Sequence, residues 1–296
     1  MPLKPAMELI ARAQVEGYAV GYFESWNLES LQGVIDAAEE SRSPVLVGFN
    51  GEFLSRKGRL TSERLAWYAA LGRAAAESAD VPCGLIFNEC SDDERVREAA
   101  ELGFSLVMPD DPAADSEAFI PRLAELTRYA HRRGVAVEAE VGQLPCGAEG
   151  EISAATGALT DAENAARYVN ATGIDIMAVS VGNVHVMLHG SRGLNLAQLA
   201  AIRRRVKLPF DLHGGTGIQA DSLRAAIRLG VAKVCFGTYL KQRYLEDVRR
   251  VLADDEPNPH KRLGFGGEED LLVVGRLAVK RAVLDRIEWL GCCDKA

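Results

Sequence analysis

Eight short runs of apolar and β-branched residues recur along this chain, and each is followed by a stretch with helical spacing. The first four runs are "AVGYFES" (19–25), "PVLVGFN" (44–50), "PCGLIFNE" (82–89) and "SLVMPD" (105–110). The others are "AVEAEVG" (136–142), "DIMAVSVGN" (175–183), "PFDLHGG" (209–215) and "AKVCFGT" (232–238). Runs that are apolar almost throughout suit strands buried on both faces, as in parallel sheets. The segments between them include "NLESLQGVIDAAEES", "DERVREAAELG", "DAENAARYVNATG" and "DSLRAAIRLG". They begin with Asn or Asp, and several end in Gly, as helix capping prefers. Eight βα units in roughly 250 residues predict an α/β fold of the closed (β/α)8 TIM-barrel type. A doubly wound sheet is the alternative, but no GxGxxG follows the first run. Neither a composition shift nor a linker divides the chain, so residues 1–296 are expected to form one barrel domain.

Two segments fall outside the repeat. "MELIARAQVEG" reads as a short helix capping the bottom of the barrel. "EDLLVVGRLAVKRAVLDRIEWLG", within about 267–291, reads as an extra C-terminal helix of the kind that packs against a partner subunit.

Composition narrows the function. A formal charge of -8, from 34 basic and 42 acidic side chains, argues against general affinity for nucleic acid or anionic membrane. No apolar run approaches the ~20 residues that span a bilayer, and "MPLKPAMELIARAQ" is amphipathic rather than a signal peptide, so a cytoplasmic protein acting on small molecules is expected. The six cysteines show no CxxC spacing, which argues against a disulfide framework or a thiolate zinc site.

In a parallel barrel the carboxyl ends of the strands converge on one mouth. The residues delivered there are Glu24, Asn50, Asn88, Glu89, Asp110, Asp111, Glu138 or Glu140, Asn183, His185, His213 and Thr238. Two imidazoles and a carboxylate facing one cavity suit zinc or another divalent cation. Of Glu138 and Glu140 only one is expected to face inward, and Glu140 is assigned to the mouth, with Glu138 against a helix. His131, ending a helix, is read as a favourable C-terminal charge, and His260 as a loop residue. Cys90 lacks a recognisable base and is read as a small buried thiol. "LHGGTGI" and "VCFGTYL" each open a helix after a glycine turn, which together suggest a phosphate site after strands seven and eight.

Several stretches carry a family resemblance, in one order along the whole chain: "MELIARAQVEGYAVGYFESWNLESLQGVIDAAEESRSPVLV", "ELGFSLVMPDD", "GVAVEAEVGQL", "LTDAENAARYVNATGIDIMAVSVGNVH", "PFDLHGGTGI" and "GVAKVCFGTYL". The chain resembles the class II, metal-dependent ketose-bisphosphate aldolases of the fructose- and tagatose-bisphosphate type. The resemblance implies a TIM barrel, a divalent cation that is usually Zn2+, a sugar-phosphate substrate and a homo-oligomer, dimer or tetramer. It implies that His185 and His213 are metal ligands and that Glu140 lies close to the metal. It further implies that Gly182, Gly214, Gly215, Thr216 and Thr238 line the phosphate, and that a mobile loop in "GQLPCGAEGEI" carries a catalytic glutamate, Glu149 or Glu151.

The departures fall on the chemistry. The family's H-x-D-H at the end of strand three is here Ile86, Phe87, Asn88 and Glu89. A neutral amide at Asn88 cannot give or take a proton, whereas Glu89 can still hold a metal. Glu24 replaces an asparagine, Asn50 a small hydroxyl residue, Cys235 and Gly237 an asparagine and an aspartate or similar residue, and His189 a lysine that assists the phosphate. A carboxylate lost at 88 and gained at 24 is consistent with Glu24 as a relocated acid/base. The implied function is an aldolase-type lyase working through a metal-stabilised enediolate. The alternatives are an isomerase or epimerase with the same chemistry, and a non-catalytic sugar-phosphate-binding protein.

Overall fold

A computed structural model describes residues 2–111, 116–146 and 158–296. Its strands are β1 (Val20–Glu24), β2 (Val45–Asn50), β3 (Cys83–Cys90), β4 (Leu106–Pro109), β5 (Ala136–Val141), β6 (Ile176–Val179), β7 (Phe210–Leu212) and β8 (Val231–Phe236). They close into a barrel in sequence order, all pairs parallel, with β8 returning to β1. The predicted TIM barrel is therefore present, with six strands inside their apolar runs and β3 and β8 each extending one residue beyond, to Cys90 and from Val231.

The helices of the first half are α1 (Ala6–Glu16), α2 (Leu28–Glu40), α3 (Gly51–Ser55), α4 (Leu65–Ser78), α5 (Asp93–Leu102) and α6 (Ser116–His131). Those of the second half are α7 (Ala162–Thr172), α8 (Leu196–Arg205), α9 (Ala220–Arg228), α10 (Thr238–Val251), α11 (Pro259–Arg262) and α12 (Leu271–Leu290). Capping residues set their bounds. Asn27 and Ser30 form a reciprocal capping box at α2, and Asp92 and Asp161 accept backbone N–H groups at the starts of α5 and α7. Gly103 and Gly173 end those two helices in the left-handed conformation.

The N-terminal segment lies where expected. Lys4 donates its N–H to Cys83 O, and Cys83 returns its own to Pro2 O, both at 2.8 Å, which ties the segment before α1 to the amino end of β3. The helix α1 then buries Ala6, Leu9, Ile10 and Ala13. The C-terminal α12 packs within its own chain, against α2 and α10, burying Val279, Val283 and Ile287, with Arg276 clamping Asp36 at 2.5 and 2.6 Å. Its principal apolar face is thus used internally. Among the described residues no helix is long and apolar enough to cross a membrane.

Candidate metal centre

The mouth chemistry starts from an irregular end to β3. Successive strand residues normally face opposite sides. Here the register against β4 shifts between Phe87 and Cys90, and Glu89 adopts φ 49°. That left-handed step lets Asn88 and Glu89 both enter the cavity wall. A non-glycine residue held this way stores strain, which the surrounding contacts must hold in place.

Those contacts are specific. Asn50 donates its amide to Glu89 Oε2 at 2.5 Å while its own Oδ1 caps α3 through Phe53 N. Glu89 Oε1 lies 2.9 Å from His185 Nε2 and 2.6 Å from His213 Nδ1. Asn183 fixes the two histidine-bearing segments together: its side chain accepts from Val181 N and donates to Val179 O and His213 O. His185 N also donates to Pro145 O at 2.8 Å. Three atoms that could ligate a metal, from the end of β3 and the segments following β6 and β7, therefore converge.

His213 is fully enclosed. Its Nε2 faces Glu138 Oε1 at 3.1 Å and Asp211 Oδ2 at 3.0 Å, leaving Nδ1 toward the cavity. Metal-bound histidines commonly have their second nitrogen held by a carboxylate in this way. Below it, Lys233 Nζ lies 2.8 Å from Glu138 Oε2, 3.1 Å from Asp211 Oδ2 and 3.0 Å from Cys235 Sγ, all inside the barrel. A second candidate ligand group, Glu138, Asp211, His213 and Cys235, is thus already supplied with a cation by Lys233.

The assignment of Glu138 to a helix-facing position is corrected. Residues two apart on a strand share a face, so Glu138 and Glu140 both point inward, Glu138 at the level of Lys233 and His213. Glu140 lies nearer the mouth, where its Oε1 accepts from Leu144 N at 3.3 Å.

Electrostatics follow from enclosure. Burial pushes the Glu89 carboxyl up, but His185 and His213 outweigh it and hold it well below the usual carboxylate range. Glu89 raises His185 against the effect of burial. Burial alone would lower His213, yet the surrounding anionic groups, Glu89 and Asp211 among them, hold it well above the ordinary imidazole value. Burial, with Glu89 nearby, pushes Asp110 up to about 6, and burial pushes Glu140 up to about 7.

These residues face a cavity of about 500 Å³. Its wall includes the predicted Glu24, Asn50, Asn88, Glu89, His185, His213, Gly214, Thr216, Gly237 and Thr238. Gly214 has φ 68°, and a Cβ there would fall 2.1 Å from Val184 O, so only glycine fits between β7 and the segment carrying His185. Thr216 Oγ1 accepts from Tyr239 N, joining the glycine turn to α10. Gly182, Gly215 and Glu140 are not among the wall residues, and neither is His189, which is exposed. Glu149 and Glu151 lie outside the described residues. His131 pairs with Asp175 at 2.8 Å on the surface.

Three residues of the site escaped the sequence reading. Lys233 and Asp211 each stand two places before a residue already assigned inward, Cys235 and His213, so the same alternation identifies them. Lys241, one turn into α10, ion-pairs with Glu24 at 2.5 Å and joins the wall. A conventional helix count beyond Gly237 would have placed it near the mouth.

Comparison with known proteins gives the family. The chain matches the family described as "Fructose-bisphosphate aldolase class-II" over residues 4–295. It is 32% identical over 300 residues to the "Probable fructose-bisphosphate aldolase" of Bacillus subtilis (strain 168), covering 100% of both chains. It is 31% identical over 299 residues to the "Fructose-bisphosphate aldolase" of Geobacillus stearothermophilus, covering 100% of this chain and 99% of that one. Among solved structures, the YdjI aldolase from Escherichia coli K12 superposes with a TM-score of 0.81 at 30% identity over 99% of each chain. A putative fructose-1,6-biphosphate aldolase from Coccidioides immitis gives 0.80 at 25% identity, over 98% of this chain and 97% of that one. With the barrel, the converging histidines and the match along nearly its whole length, the chain belongs to the class II fructose-bisphosphate aldolase family of metal-dependent aldolases.

Proposed function

We propose that Glu89, His185 and His213 hold the divalent cation of this aldolase, that the cation is zinc, and that the reaction cleaves or forms a carbon–carbon bond in a ketose or related sugar. The observation that supports this most is the convergence of one carboxylate oxygen and two imidazole nitrogens at the cavity. Two nitrogens and an oxygen suit zinc with a position left for substrate. When bound, such a cation supplies the positive charge that stabilises an oxyanion developing on a substrate carbonyl.

The chain's own residues do the rest. Asn50 orients Glu89, and the Asp211 and Glu138 carboxylates hold His213 with Nδ1 outward. Asn88 is nearly fully buried, and its Oδ1 has no hydrogen-bond partner among the described residues, so it is suited to accept from a substrate hydroxyl but not to move a proton. Glu24, the sequence-based candidate for that task, is tied to Lys241. Asp110, in the wall with a carboxyl near 6, is the better-matched proton carrier.

Metal content by mass spectrometry, on protein purified without chelator, tests the centre. Near-stoichiometric zinc is expected, lost in Glu89→Ala, His185→Ala and His213→Ala. A wild type that takes up no metal after zinc is added back sinks the reading. For the proton carrier, Asp110→Asn is expected to lower kcat by about 100-fold or more with metal content unchanged. Retained turnover would return the role to Glu24.

We also propose a cytoplasmic homo-oligomer, dimer or tetramer. All six cysteines are free, as suits a reducing compartment. Leu252, Leu263, Phe265, Leu272 and Leu277, all in the last third of the chain, are exposed apolar side chains that a second copy could cover. Light scattering should give two or four times 32.0 kDa, and a single-chain mass would reject it.

A further inference from the structure

Glu24 closes β1, and Gly237 stands between β8 and α10, so paired strand ends bring the two together. A Cβ on residue 237 would lie 2.2 Å from Glu24 Oε2. The carboxylate therefore fills the space of a side chain at 237, and glycine is what leaves it there. Its other oxygen meets Lys241 Nζ at 2.5 Å, and that ammonium lies 4.1 Å from the Phe53 ring centroid. Glu24 is only 7% exposed.

This corner is where an anionic end of a substrate would ordinarily be received. The 14-residue α10 starts here, with Tyr239 N donating to Thr216 Oγ1, and Lys241 is the one lysine or arginine among the described wall residues. The ammonium is committed to an internal anion. The wall brings four carboxyls, those of Glu24, Glu52, Glu89 and Asp110, against that one ammonium and two imidazoles. A phosphate dianion over Gly237 would press on the Glu24 carboxylate and find its cation already paired. A hydroxyl meets no such conflict, because it donates to Glu24 and accepts from Lys241.

We propose that the Glu24–Lys241 pair reads a neutral, hydroxyl-bearing end of the substrate, so that the sugar handled here carries no phosphate on the end lying over Gly237. This rests on the aldolase reading above and narrows its substrate class.

Titration calorimetry on the zinc-loaded protein tests it, with glycolohydroxamate and its phosphate ester as chelating mimics of the enediolate. The unphosphorylated compound is expected to bind at least as tightly as the ester. Glu24→Asn is expected to raise affinity for the ester by about tenfold or more and to leave the other unimproved. Lys241→Gln, which keeps the carboxylate and removes its partner, is expected to weaken the unphosphorylated compound further relative to wild type. A wild type that prefers the ester by tenfold or more overturns the proposal and leaves the aldolase reading intact. So does a wild-type ratio that Glu24→Asn fails to move. Binding of neither compound overturns both.

Discussion

Glu89 concentrates the site's demands on one residue. Its backbone is left-handed, its Oε2 is spoken for by Asn50, and its Oε1 is shared by two imidazoles. The pH dependence of metal uptake follows. Neighbouring anionic groups hold His185 and His213 above the ordinary imidazole value, so protons compete with a metal for these nitrogens. Binding should therefore release protons at pH 7, and affinity should rise with pH until both rings are neutral. Calorimetry in buffers of different ionisation enthalpy measures the count, and zero released protons would contradict the cluster's electrostatics. At this scale the sequence was legible where a polar residue sat at a strand end. His185, His213 and Glu89 were found for that reason. Lys233 and Asp211 were not, because a charged letter inside an apolar run gives no hint of its partner, and the partners lie on other strands. Glu138 was misplaced by a parity error rather than by missing information.

Elements were the most readable level, since capping and burial leave local marks. Asn27 illustrates how directly: it accepts from Ser30 N while Ser30 Oγ accepts from Asn27 N. Asn27→Ala should cost about 1 kcal/mol. A thermal melt should show a fall of about 2 °C, and an unchanged midpoint would mean that α2 is held by packing alone. The thiols give a second check on the element boundaries. Cys83 and Cys90 begin and end β3, and Cys292 follows α12, all three buried and pushed up to about 12 by burial. Cys146 and Cys293 are exposed. Alkylation of the native protein at pH 8 should label these two quickly and the four buried thiols, Cys235 included, only as the chain unfolds. What the sequence could not convey was where α12 docks. Its apolar spacing is the same whether the partner is another subunit or, as found, α2 and α10 of the same chain.

Across the whole molecule, the barrel interior is not a uniformly apolar filling. Beneath the mouth lies a charged layer in which strands from both halves of the sequence meet: Glu138 from β5, Asp211 from β7 and Lys233 from β8, with Tyr22 of β1 alongside. Burial alone would raise Asp211, but Lys233 and His213 hold it well below the usual range. Burial alone would lower Lys233, but Asp211 and the other anionic neighbours hold it well above its own. The signs fix the pH window. The lowered carboxyl contributes stability above its unfolded value of 3.8 and loses it as pH falls. The raised ammonium contributes below its unfolded value of 10.5 and loses it as pH rises through the folded one. Between those limits the layer ties β5, β7 and β8 together, and with them the orientation of His213. Lys233→Met should then cost about 3–5 kcal/mol, because it leaves the buried Glu138 and Asp211 carboxyls without their ammonium partner. Adding Asp211→Asn to that variant should recover part of the loss, since it removes one of the stranded charges. Urea unfolding at pH 7 of the single and double variants reads the difference. A double variant no more stable than the single one would mean that Lys233 acts by filling space rather than by balancing charge.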